Sequence, residues 1–234
     1  MPPTSLAIGK DGERMKIRCA IFDFDGTLFD SMYVWNTAGE RYIRSLGKEP
    51  KPSLRESLRA LSSSQAAHYL KEEYELGLSV EEIMTGIDRS VEQAYFHDVE
   101  PKPNVKRFLN ELKRAGIRMC VATASARYQI EAALRRCEMD HFFDAVFSCT
   151  DVGYGKDEPI VFRKAMEHCG ADRSNTVVFE DAIHAVETAK DDGFMVVVVY
   201  DENEEQQEKI RLLGDLYLES YDRAEAFWEF VSSD

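Results

Sequence analysis

The segment that most constrains this chain is an apolar run, Cys19-Ala20-Ile21-Phe22, leading into Asp23-Phe24-Asp25-Gly26-Thr27-Leu28-Phe29-Asp30-Ser31. The run reads as a strand buried on both faces, the kind found inside a parallel sheet. Asp23 and Asp25 stand two apart, so an extended backbone would send both carboxylates to one side. Gly26 permits a sharp turn that a Cβ would hinder. Two neighbouring acids persist most easily when a cation lies between them or one keeps a proton. Taken alone, Asp-x-Asp-Gly is also a common turn after a strand.

Beyond this strand the chain turns helical over residues 31–100 before strand signals return. Met32, Trp35, Tyr42, Ile43 and Leu46 recur at helical spacing up to Gly47. Further helices are expected at 54–61 and 64–76. Another starts after Ser79, where Ser-Val-Glu-Glu forms a capping box ahead of Val80, Ile83, Ile87, Val91 and Ala94. Glu100-Pro101-Lys102-Pro103 punctuates the return. Helices are then expected at 104–115, 127–137, 157–169, 182–192 and 204–213. They alternate with strands at 117–123, 145–148, 176–180, 195–200 and 216–218, and a last helix closes the chain.

Alternation of this kind predicts an α/β fold: a Rossmann-like parallel sheet core with helices on both faces and an inserted all-helical cap domain. The expected division is a polar N-terminal tail over 1–14, a core made of 15–30 and 101–234, and a cap over 31–100. Parallel sheets bind ligands beyond the carboxyl ends of their strands. The helical insertion leaves the core at such an end, so connectivity predicts a cap over the site.

Bulk properties narrow the partners. The net charge of −14 disfavours nucleic acid, whose phosphate backbone requires clustered Lys and Arg. No apolar run has the length of a membrane span, and the first residues lack the apolar core of a signal peptide. Five cysteines, at 19, 120, 137, 149 and 169, form no Cys-x-x-Cys and are odd in number, as in a reduced cytoplasmic protein. The five histidines show no metal-ligand spacing.

Each later strand exit carries a reactive group. Thr123-Ala124-Ser125 offers a hydroxyl and loop amides before a helix, a setting suited to an anion, although a threonine there is also a routine helix cap. Lys156 comes after Gly153-Tyr154-Gly155; a lone lysine is normally solvated surface. Glu180-Asp181 closes Val177-Val178-Phe179 and could hold a divalent cation, or Asp181 could cap the next helix. An acid pair, a hydroxyl, a lysine and a second acid pair, each at a strand exit, form a set that separate structural explanations do not account for.

In that order the motifs resemble those of the haloacid dehalogenase-like hydrolase superfamily, most of whose members are magnesium-dependent phosphatases. Asp23-x-Asp25-Gly26-Thr27 matches the first motif and Thr123-Ala124-Ser125 the second. Gly155-Lys156-Asp157-Glu158-Pro159 is similar to the third, with Asp157 in place of a proline. Phe179-Glu180-Asp181-Ala182-x-x-Ala185 is similar to the fourth, with alanines in place of a serine and a glycine. The resemblance implies Asp23 as nucleophile and Asp25 as general acid and base. It implies Thr123, Ala124 and Lys156 on the phosphoryl group, and Mg²⁺ held by Asp23, Asp25 through its main-chain carbonyl, Glu180 and Asp181.

A helical cap inserted after the first motif resembles the subgroup that includes phosphoglycolate phosphatase and β-phosphoglucomutase. The expected substrate is a small phosphorylated metabolite such as a sugar phosphate, selected on the cap near Ser31, Tyr33 and Trp35. Trp35 is expected to serve packing ahead of specificity, with sugar stacking the alternative. Two alternatives stand beside the phosphatase. A phosphomutase would share the aspartyl phosphate, but Trp35 occupies the place where the related mutase has a histidine. A non-catalytic binding protein on the same fold would have no need of the intact acids and lysine.

Overall fold

The computed structural model describes residues 17–58, 61 and 63–232; the tail expected over 1–14 lies outside them. The chain forms two compact units. One comprises the described residues up to Asp30 together with those from Glu100 onward, and the other lies within Ser31–Val99.

In chain order the elements are β1 (Cys19–Phe22), β2 (Phe29–Asp30), α1 (Met32–Ser45), α2 (Leu54–Leu58), α3 (Ser63–Glu73), α4 (Val80–His97), β3 (Glu100–Pro101), α5 (Val105–Arg114), β4 (Arg118–Thr123) and α6 (Arg127–Arg136). They continue with β5 (Ala145–Ser148), α7 (Cys149–Val152), α8 (Ile160–Cys169), β6 (Thr176–Glu180), α9 (Ile183–Asp191), β7 (Met195–Val199), α10 (Gln207–Leu213), β8 (Leu216–Leu218) and α11 (Glu225–Val231). Among the described residues six strands form one sheet in the order β5-β4-β1-β6-β7-β8, with every pairing parallel. The α/β architecture is therefore the one expected. β1 sits near the middle, with β4 on one side and β6 on the other. The register pairs Phe22 with Val121 and with Phe179, so the exits of three strands lie side by side.

Strand alternation sends successive side chains to opposite faces. On one face Cys19, Ile21, Cys120, Ala122, Val178, Val196 and Val198 pack with Val161, Phe162 and Ala165 of α8 and with Val186 and Ala189 of α9. On the other face the core is aromatic. The rings of Phe22 and Phe179 stack at 4.3 Å, and Phe108 of α5 meets Phe22, Phe179 and Phe227 of α11 at 6.5, 5.5 and 5.4 Å. Edge and stacked pairs of this kind add to simple area burial. Both sheet faces are thus covered, which explains why the strands read as continuous apolar runs.

Among the differences from the sequence reading are two helix starts and one strand pair. The helix expected from residue 157 begins at Ile160, because Glu158 N–H bonds the Gly155 carbonyl in a turn and Pro159 stands at the helix cap. The acidic helix expected from 204 begins at Gln207, because Glu204 accepts from the main-chain N–H of Gln206 and of Ile183. The antiparallel pair β2–β3, with Phe29 opposite Pro101 and Asp30 opposite Glu100, has no periodic signal at two residues a strand.

The Ser31–Val99 unit is helical, with Val34, Ile43, Ile83, Val91 and Tyr95 buried within it. The Ser79 capping box forms on α4 as its sequence predicts. Trp35 donates from Nε1 to the Tyr95 hydroxyl at 2.6 Å and meets that ring edge-on. Trp35 is therefore engaged in the packing of its own unit. Among the described residues no helix is long and apolar enough to cross a membrane. All five cysteines are free of disulfides.

Phe108 is fully buried and touches four other aromatic rings of this face beside Trp228. Phe108→Ala is expected to cost about 3–5 kcal/mol, the usual loss on emptying a packed aromatic site. Urea unfolding with an unchanged slope would measure it; a loss under about 1 kcal/mol would show that the aromatic face is not a packed core.

Candidate active site

The site is built where β1, β4 and β6 end. β1 stops at Phe22, and the chain turns through Phe24–Phe29, with Leu28 N–H and Phe29 N–H both bonding the Phe24 carbonyl. Asp23 N–H still bonds the Phe179 carbonyl at 2.9 Å, and the side chains of the two acids take separate partners. Asp23 is buried and is contacted by the Lys156 ammonium, which also reaches Glu180 at 2.5 Å. Asp25 is half-buried and accepts a 2.5 Å hydrogen bond from the Ser125 hydroxyl.

Lys156 is not solvated surface. Its loop precedes α8, whose Phe162 ring lies beneath the ammonium at 5.9 Å, and the residue is 7% exposed. Burial by itself would lower its pKa, but the carboxylates of Asp23 and Glu180 outweigh that and hold it above the ordinary lysine range.

Asp181 is not a helix cap. Ala182 occupies the cap position of α9. Asp181 instead accepts from the Thr27 hydroxyl at 2.7 Å, and the Tyr221 hydroxyl donates to the Thr27 carbonyl at 3.1 Å. Glu180 Oε2 accepts from the main-chain N–H of Asp181 and of Ala182 at 2.9 and 3.1 Å. Its other oxygen faces Lys156.

Carboxylate oxygens of Asp23, Glu180 and Asp181 lie within 4.8 Å of one another, all three residues buried. Two of the three carboxyl groups, those of Asp23 and Glu180, share the ammonium of Lys156, and the cluster carries more acid than base. Burial pushes the Asp23 carboxyl up to about 8; Lys156 pulls against this, and Glu180 and Asp25 add to it. Burial, then Glu180 and Asp23, raises Asp181 well above the usual carboxylate range. A hard divalent cation fits this donor set, because all the donors are oxygens and the surplus charge matches.

Thr123 is buried, and its hydroxyl accepts from Ser125 N–H at 3.0 Å. The α6 cap is Ala126, so Thr123 does not cap the helix. Ala124 is exposed. Of the other residues singled out by sequence, Ser31 is buried, Tyr33 exposed and Trp35 half-buried within the helical unit. The acids, the hydroxyl loop and Lys156 are thus brought to neighbouring strand exits. The Asp25 carboxylate lies outside the acidic cluster. Sequence reasoning assigns nothing to Thr27, Ser125 and Tyr221. The first two are visible as hydroxyls inside the motifs, whereas Tyr221 lies 194 residues from Thr27 and carries no local signal.

Residues 20–199 match the family model described as haloacid dehalogenase-like hydrolase. The chain belongs to the haloacid dehalogenase-like hydrolase family. It is 25% identical over 177 residues to the phosphorylated carbohydrates phosphatase of Thermotoga maritima, covering 76% of this chain and 82% of that protein. It is 29% identical over 192 residues to a Drosophila melanogaster protein named "Probable pseudouridine-5'-phosphatase", covering 80% and 83%. The crystal structure of CbbY from Rhodobacter sphaeroides in complex with phosphate superposes with a TM-score of 0.75 at 22% identity, over 88% of this chain and 95% of that one. That likeness is one of fold. The matched range contains the strand exits at which the buried acids gather.

Gly26 has φ +82°, and a Cβ there would fall 2.2 Å from Asp181 Oδ2. Gly26→Ala is expected to displace that carboxylate and weaken divalent-cation binding by about tenfold or more, while far-UV circular dichroism stays unchanged. Calorimetric titration checks this; an unchanged affinity would remove Asp181 from the cation site.

Proposed function

We propose that this protein is a magnesium-dependent phosphatase that hydrolyses a small phosphorylated metabolite, with sugar phosphates the leading class, through an aspartyl phosphate. The observation carrying this reading is the buried convergence of Asp23, Lys156, Glu180 and Asp181 beside Asp25. Names of curated relatives support the substrate class: one is a phosphorylated carbohydrates phosphatase and another is called a pseudouridine-5'-phosphatase.

In this reading an Asp23 carboxylate oxygen attacks phosphorus, and the bond from phosphorus to the substrate oxygen breaks. Asp25 gives its proton to the departing oxygen. Water then attacks the aspartyl phosphate while Asp25 takes a proton back; inorganic phosphate leaves and Asp23 is restored. Lys156 orients the nucleophile and places fixed positive charge against the phosphoryl oxygens. Thr123 already accepts from Ser125 N–H, so its own hydroxyl proton can turn to a phosphoryl oxygen, and the Ala124 amide adds a second donor. Asp23, Glu180 and Asp181 would hold Mg²⁺, with the Asp25 main-chain carbonyl. Bound there, the ion would supply charge neutralisation between nucleophile and phosphate. The inserted helical unit, 31–100 by sequence, is assigned substrate choice, with Ser31 and Tyr33 as candidates and Trp35 as packing. No nucleic-acid or membrane partner is invoked.

Two measurements test the reading. EDTA should abolish release of phosphate from p-nitrophenyl phosphate and added Mg²⁺ should restore it; chelator-resistant turnover would reject the metal. Asp23→Asn should lower turnover by about 10³-fold or more with the fold intact, since removing a covalent nucleophile forfeits the whole route. Near-normal activity in a pure sample of that variant would reject the nucleophile.

A further inference from the structure

We propose that Ser125 is a positioning residue that aims Asp25 at the leaving-group oxygen. The inference rests on the phosphatase reading, in which Asp25 is the acid.

A carboxyl group at the head of a turn has a soft terminal torsion, and the backbone alone does not set its angle. Proton delivery requires a fixed distance and direction, so an acid left to rotate is productive only part of the time. The Ser125 hydroxyl donates to Asp25 Oδ2 at 2.5 Å, which ties one carboxyl oxygen and assigns the proton to the other. The same bond forms in both protonation states, because a protonated carboxyl keeps one oxygen as acceptor.

Ser125 can do this because it is itself held. It is 3% exposed, and its main-chain N–H donates to Thr123 Oγ1 at 3.0 Å. Thr123 ends β4, which pairs with β1 in parallel with Val121 opposite Phe22. The anchor and the acid therefore leave adjacent strands a few residues beyond the same register point. A serine two places after the strand-end threonine folds back over the next strand's exit, where Asp25 stands.

The consequence is selective. Loss of aim should penalise only esters whose leaving oxygen needs a proton. Phenyl phosphate expels a basic phenolate, whereas 2,4-dinitrophenyl phosphate expels a weakly basic anion that departs unassisted. The quantity to read is kcat/KM with saturating Mg²⁺, which reports steps up to formation of the aspartyl phosphate. Ser125→Ala should lower kcat/KM for phenyl phosphate by up to about tenfold, the scale of one lost hydrogen bond to a neutral group, and leave the dinitrophenyl ester nearly unchanged. If the alanine variant does not fold, Ser125→Cys keeps the shape of the side chain at slightly greater volume, weakens the donor and reads the same ratio. Equal losses on both esters in a folded variant would overturn the positioning role and leave the phosphatase standing. A wild-type protein that releases phosphate from neither ester would overturn the phosphatase reading and this inference with it.

Discussion

The contact on which the site depends is the one between the Lys156 ammonium and the carboxylates of Asp23 and Glu180. An isolated buried charge is costly, and a buried ion pair is retained only when its geometry satisfies both partners. Here one ammonium serves two acids while a third, Asp181, lies within reach of both carboxylates. The result is a cluster that is held together yet short of positive charge. Such a cluster suits chemistry in which further positive charge and a phosphoryl dianion arrive together.

Around that contact lies a ring of hydrogen bonds that fix orientation. Thr27 holds Asp181 and is itself held by Tyr221 from near the chain's end. Glu180 binds the amides that open α9, and Glu204 binds the next one at Ile183. The acids are thereby aimed by neighbours supplied from separate segments. This is how side chains are kept within the small tolerances that catalysis requires.

Much of this is legible in the chain before it folds. The strand-and-helix alternation, the helical insertion and the reactive group at each strand exit are local patterns, and local patterns survive in a linear string. The illegible part involves competition between local and distant partners. Lys156, Thr123 and Asp181 each have an ordinary local explanation, as solvated surface or helix cap. The structure gives the caps to Ala126 and Ala182 and turns the three side chains elsewhere. The start of α8 departs from the sequence reading because helical propensity through Asp157 and Glu158 is overruled by the turn at Gly155 and by Pro159. β2 and β3 leave no trace in the pattern because pairing across the insertion, not periodicity, creates them.

By itself, then, the chain determined which residue types stand at which strand ends, and that its strands lie buried in a parallel sheet, because apolar runs and turn residues act over a few positions. Only the tertiary structure decided that Asp23 and Asp25 part company, with Asp23 facing Lys156 and Asp25 facing Ser125. That choice is made by the order of strands. Parallel pairing of β1 with β4 and with β6 sets which exits are neighbours, and no one-dimensional spacing encodes who lies beside whom.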